Sequence, residues 1–121
     1  MELVNLTPRA LVFYLGDDDE STIVLPPSGT VARVPSYYTV SEALGGIPVV
    51  STRFGEPILP EQRDGVAYVA STMVARAAAA HGRRDVYAPD TGPGSAVFDT
   101  TAEGRRHRGV LLGVRRLQRF F

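Results

Sequence analysis

Five alanines at positions 75, 77, 78, 79 and 80, with no glycine or proline from 73 to 80, make one helix the strongest local statement in this sequence. The spacing predicts that helix over residues 71–81. Ser71 or Thr72 can cap its start, His81 falls where a cation favours the helix dipole, and Gly82 can take the left-handed position just past the end. Alanine supplies little side-chain volume on any face, and about eleven residues are too few for a stable isolated helix. The helix is therefore expected to lie close against a sheet. Residues 66–70, Val-Ala-Tyr-Val-Ala, feed directly into it as an unbroken apolar run, the pattern of a strand buried on both faces and so placed centrally.

The rest of the chain reads as short extended runs between breakers. Residues 3–15 form a strand pair or one bent strand interrupted at Thr7-Pro8. Asp17, Asp18, Asp19 and Glu20 repel one another and belong on an exposed turn before the run 22–25, which gives a hairpin. Pro26-Pro27-Ser28-Gly29 is a turn, and 30–34 is expected as a strand with Ala32 and Val34 on its apolar side. Residues 35–46 mix aromatic and polar side chains without a readable period, and either loop or strand end fits. Residues 47–52 form an edge strand because of Pro48, and 53–64 a loop. Residues 83–88 return to extended structure and 89–95 are a dense turn cluster. Then 96–98 and 110–117 pair as a hairpin, with Gly109 and Gly113 as bulge positions. The expected fold is α+β: a mostly antiparallel sheet, or a small barrel, with one alanine-rich helix packed on it.

A length of 121 residues suits one domain over 1–121, and the apolar and charged fractions of 44% and 21% are those of a globular chain. Cysteine is absent, which removes disulfides, thiolate metal ligands and a cysteine nucleophile. No run approaches the roughly 18 to 20 apolar residues that span a bilayer, and no basic start precedes a long apolar stretch, so a cytoplasmic protein without a membrane segment is expected. All thirteen basic residues are arginine. They are unevenly placed: seven arginines face twelve acidic residues over 1–100, and six face only Glu103 over 101–121.

Titratable and turn residues converge at one place, from Arg84 and Asp85 to Asp90, Thr91, Gly92, Gly94 and Ser95. Backbone N–H groups around Gly92, Gly94 and Ser95 can form an anion-binding concavity, with Arg83 or Arg84 adding charge. The bland alternative is an Asx-type turn at Asp90 and Thr91 that merely links two strands. Ser71, directly after a strand, likewise offers either a helix-terminus anion site or simple capping. Paired carboxylate chemistry would use Asp85 and Asp90. Nucleophilic catalysis lacks a Gly-x-Ser-x-Gly elbow, and His81 and His107 read as structural and solvated respectively. Asp17, Asp19 and Ser21 imitate the opening of a calcium loop, but Thr22 stands where it needs glycine and Ser28 where it needs glutamate, so no metal site is expected. No cofactor motif occurs either. Arg105, Arg106, Arg108, Arg115, Arg116 and Arg119 beside Phe120 and Phe121 suggest stacking on nucleic acid, but overall neutrality argues for a solvated basic face.

Several of these residues recur together in a pattern: Asn5-Leu6-Thr7-Pro8, then Pro26-Pro27-Ser28-Gly29 before Ala32-Arg33-Val34, Gly46-Ile47-Pro48-Val49, Gly55-Glu56, Val66 to Ser71 after Gly65, and Asp85-Val86 with Pro89-Asp90-Thr91-Gly92-Pro93. In this the chain resembles a family of small, largely uncharacterised prokaryotic and phage-type proteins. It departs from that pattern at Arg9, where histidine often follows the proline, and in its longer loop 100–108. The resemblance implies a single domain and carries no activity. Two functions remain from the residues alone. One is a non-catalytic binding or interaction module using Arg84, Asp85, Asp90, Thr91, Gly92 and Ser71 for a small anionic ligand or a protein partner. The other is a small hydrolase-like enzyme using Asp85 or Asp90 with Arg84. The apolar terminus ending Phe120-Phe121 predicts self-association into a homo-oligomer.

Overall fold

A computed structural model describes residues 1–16, 21–98 and 110–121. In chain order its elements are β1 (Glu2–Asn5), β2 (Leu11–Leu15), β3 (Ser21–Leu25), β4 (Ser36–Leu44), β5 (Ile47–Phe54), β6 (Val66–Val69), α1 (Thr72–Ala80), β7 (Val86–Pro89), β8 (Ala96–Phe98), β9 (Leu111–Val114) and β10 (Leu117–Gln118). The fold is α+β, as expected, with antiparallel pairs outnumbering parallel ones. The sheets do not close into the small barrel that was the alternative. The strands form open sheets in the orders β1-β6-β7-β10, β3-β2-β9-β8 and β4-β5. β1, β6 and β7 run parallel, with α1 returning the chain across the sheet between β6 and β7.

The helix and its feeding strand form as the residues dictate. The Ser71 hydroxyl accepts the Val74 N–H at 3.3 Å, and Gly82 ends the helix at φ 87°. Val74, Ala75 and Ala78 turn inward. With Val66, Tyr68, Ala70, Val86, Ala88, Leu6 and Ala32 they make the core, and Val4, Val34, Leu59 and Phe120 close its margin. Ala78 is wholly buried, so the helix backbone approaches the sheet closely, which is the physical use of its alanines. Along β6 the alternate side chains Ala67 and Val69 point to the other face, which is buried too, as are Phe13 and Val114 of the second sheet. β6 is thus central in order and covered on both sides.

Three differences from the sequence reading have physical causes. Residues 30–34 form no strand: Ala32 is buried and Val34 packs on the core, but the segment makes only single bridging contacts, Ala32 N–H to Leu6 C=O at 3.0 Å and Ile58 N–H to Arg33 C=O at 2.8 Å. Prolines at 26, 27 and 35 bracket it and interrupt a ladder beyond either end. The run 110–117 divides, β9 pairing with β8 and β2 while β10 crosses to β7. Gly113 is fixed by close approach, since a Cβ there would collide with the Val12 carbonyl oxygen. The third difference is the largest. Residues 36–54, read as an uncertain stretch followed by a short edge strand, are one long hairpin. Gly45 and Gly46, at φ 58° and 83°, supply its two-residue turn.

Candidate functional site

The parallel strands sort the sequence candidates onto two opposite edges of the first sheet. Ser71 follows β6, and Asp90, Thr91 and Gly92 follow β7. The register Val69↔Tyr87 therefore brings this group to the sheet's carboxyl edge. Arg84 and Asp85 precede β7 and lie at the opposite edge. Five residues of extended chain separate Asp85 from Asp90 by about 16 Å, beyond any shared proton or water.

Most of the candidates have a partner inside the chain. Arg83 grips Asp85 with two parallel bonds of 2.9 Å, Nε to Oδ1 and Nη2 to Oδ2, and Nη2 also donates to the Pro60 carbonyl at 3.0 Å. The hydrogen bond to Asp85 raises the Arg83 guanidinium above its ordinary value. Asp85 is only 7% exposed, so this pair anchors the loop before β6 to the start of β7. The Arg84 guanidinium lies over the Phe121 ring, 5.9 Å from its centroid. Asp90 accepts the Gly92 N–H on Oδ1 at 2.9 Å and meets Arg116 through Oδ2 at 2.9 Å, so it makes the Asx-type turn. The Ser95 N–H donates to Gly92 C=O at 3.1 Å. Two of the amides proposed to cradle an anion are thus spent within the turn.

The motif residues are fold-makers as well. Buried Asn5 donates to the carbonyls of Arg9 and Leu25 at 2.8 and 2.9 Å and accepts from the Thr7 N–H and hydroxyl at 2.9 and 2.7 Å. That explains Asn5-Leu6-Thr7-Pro8 as a tie between β1, the following turn and the end of β3. The wholly buried Ser95 hydroxyl accepts the N–H groups of Arg115 and Arg116, both at 3.1 Å, holding the β9–β10 junction to the start of β8. Phe120 and Phe121 are half-buried. Arg76 lies over the first at 5.0 Å, and Tyr87 meets the second edge-on at 5.4 Å. The terminal rings are thus partly covered by contacts within the chain. Arg105, Arg106, His107 and Arg108, like Asp17 and Asp19, lie outside the described residues.

Exposed apolar surface is concentrated instead on β4 and β5. Tyr38 is 71% exposed and Ile47 69%, with Tyr37, Val40, Leu44, Val50 and Phe54 all exposed on the same pair of strands. Neither strand joins another sheet. The register places Tyr38 opposite Thr52 and Val40 opposite Val50 on one face, while Glu42 opposite Val49 and Leu44 opposite Ile47 share the other. Both edges are blunted against further strands. On β4 the register shifts at Ser41, whose hydroxyl donates to Val49 C=O at 3.2 Å. On β5, Pro48 sits one pair in from the turn, where its missing N–H falls on the outer edge. What this arm exposes is side-chain surface, not an open ladder. The sequence signal was Gly45-Gly46 between two runs of β-favouring residues, which reads equally well as a simple boundary.

Several clefts surround the body. Thr91 lines one of about 230 Å³ with Arg9, Val12, Leu111 and Gly113. Another, of about 420 Å³, includes Tyr68, but its hydroxyl donates to Glu61 C=O at 2.8 Å. A third, of about 290 Å³, lies at the arm's root and is lined by Phe54, Met73, Arg76, Ala77, Ala80 and His81. Among the described residues no group of three or more His, Asp or Glu side chains could hold a metal ion, and no helix is long and apolar enough to cross a membrane. Comparison of the chain with protein-family models, with curated proteins and with solved structures finds no match.

Proposed function

We propose that this chain is a non-catalytic interaction module of the cytoplasm whose binding element is the β4–β5 arm and whose partner is a protein. The observation that carries the reading is the coincidence of length and exposure. β4 and β5 are the longest strands among the described residues, with 9 and 8 residues, yet every one of their side chains except the half-buried Val49 is exposed. A lone two-stranded hairpin is marginal in water, and burying its apolar side chains against a partner would be worth about 1.5–3 kcal/mol for each large one. A small anionic ligand draws less support, because Asp90 places a carboxylate where it would bind and Ser71 is occupied as a cap.

A photo-crosslinking amino acid at Tyr38, introduced in the cells of origin, tests this. The expected result is a discrete covalent adduct with one protein, either this chain or another, and none from the same group at Ile23 on β3. Equal labelling from both positions, or none from Tyr38, would remove the arm as the binding element.

A further inference from the structure

We infer that the arm's partner is a second copy of this chain, with the tip of each arm seated in the cleft beside α1 of the other; this rests on reading the arm as the binding element. The cleft sits at the arm's root, since Phe54 closes β5 and also lines it beside Met73, Arg76, Ala77, Ala80 and His81. Two arms lying antiparallel about a two-fold axis place each tip at the other's root, so one geometry satisfies both contacts and closes the assembly as a dimer. The receiving surface is the outward helical ridge at 73, 76, 77 and 80, opposite the buried face of Val74, Ala75 and Ala78. Ala77 and Ala80 keep it shallow, and the exposed Met73 can adapt its shape.

Chemistry and area agree. The tip face presents Leu44 and Ile47 with Glu42 beside them, and the cleft is apolar with Arg76 on it, so a carboxylate on one copy meets a guanidinium on the other. The tip residues Leu44 and Ile47 and the cleft residues Phe54 and Met73, all half-exposed or more, form the contact on each copy. At roughly 50 to 150 Å² each, they approach the apolar share of the about 800 Å² that each partner buries in a standard interface. With Ser41 and Pro48 blunting both edges, the arms meet through side chains rather than by extending a sheet.

Sedimentation equilibrium of the full chain tests the arrangement. The expected result is a species of twice the 13.0 kDa chain mass that becomes monomeric in Leu44→Asp/Ile47→Asp and equally in Met73→Asp/Ala77→Asp, with unchanged helical circular dichroism in both. Glu42→Arg alone and Arg76→Glu alone should each weaken the dimer at least about tenfold, and the two together on one chain should restore it. A monomeric unaltered chain, or a dimer untouched by all these changes, overturns the inference. A dimer lost with the tip variant but kept in Met73→Asp/Ala77→Asp also overturns it, while leaving the arm as the binding element.

Discussion

β6 and the β4–β5 arm are built from similar residues and meet opposite fates. Val66, Ala67, Tyr68 and Val69 are buried on both faces, and the tyrosine finds the Glu61 carbonyl for its hydroxyl. Tyr37, Tyr38, Val40, Leu44 and Ile47 have comparable apolar character and lie in solvent. β6 has a parallel strand on each side and shares a core with the helix, and its other face, Ala67 and Val69, is buried as well. The arm has only its own two strands. Apolar residues in this chain therefore fall into two sets, and burial, not composition, tells them apart: in β6 they stabilise the fold, and in the arm they form the surface proposed to bind a partner.

The same substitution in the two regions should expose this contrast most strongly. Tyr68→Ala empties a site that is 1% exposed and should cost about 3–5 kcal/mol, read as a lower urea midpoint. Tyr38→Ala in dilute protein should stay within about 0.5 kcal/mol. Comparable losses would mean that the arm belongs to the core. Arginines allow the next comparison. Arg83→Ala strands the buried Asp85 carboxylate and releases the Pro60 carbonyl, for a loss of about 2–3 kcal/mol, discounted because Arg83 is itself partly exposed. Arg53→Ala on β5 should change stability little. The raised guanidinium of Arg83 contributes stability that is complete below its unfolded value and is lost only as pH climbs through the still higher folded value. Alkaline titration from neutrality to pH of about 10 should therefore leave this contribution intact.

The helix divides in the same way. Ala78→Leu forces volume against the sheet and should cost about 1–3 kcal/mol, whereas Ala77→Leu on the outward ridge should cost less than about 0.5 kcal/mol in the monomer. The smallest effect concerns the turn after β7. Asp90→Asn keeps the acceptor for Gly92 N–H while removing the exposed pair with Arg116, for a loss below about 1 kcal/mol by thermal unfolding.

What the sequence revealed follows the range of the interactions. The cap at Ser71, the left-handed Gly82, the apolar run of β6 and the Asx-type turn at Asp90 are settled by neighbours in the chain, and each was readable. The burial of Asn5 and Ser95 was not, because their partners Leu25, Arg115 and Arg116 lie some twenty residues away. Residues 30–34 misled because Ala32 and Val34 do turn to the core, as in a strand, while the segment makes only single bridging contacts. The arm was hidden for another reason. A strand pair without a buried face has no need to alternate polar with apolar residues, so residues 36–44 show no period. The converging set from Arg84 to Ser95 was legible as chemistry, but β7 carries Asp85 and Asp90 to opposite edges, which only the topology reveals.

Hydrogen exchange followed by mass spectrometry, before and after roughly hundredfold dilution, tests most directly whether the arm is a binding surface outside the folding core. The account predicts that peptides of β6 stay protected at both concentrations, while those spanning 37–53 are protected only in the concentrated sample. Arm amides protected equally at both concentrations would contradict it by making the arm part of the monomer's own core.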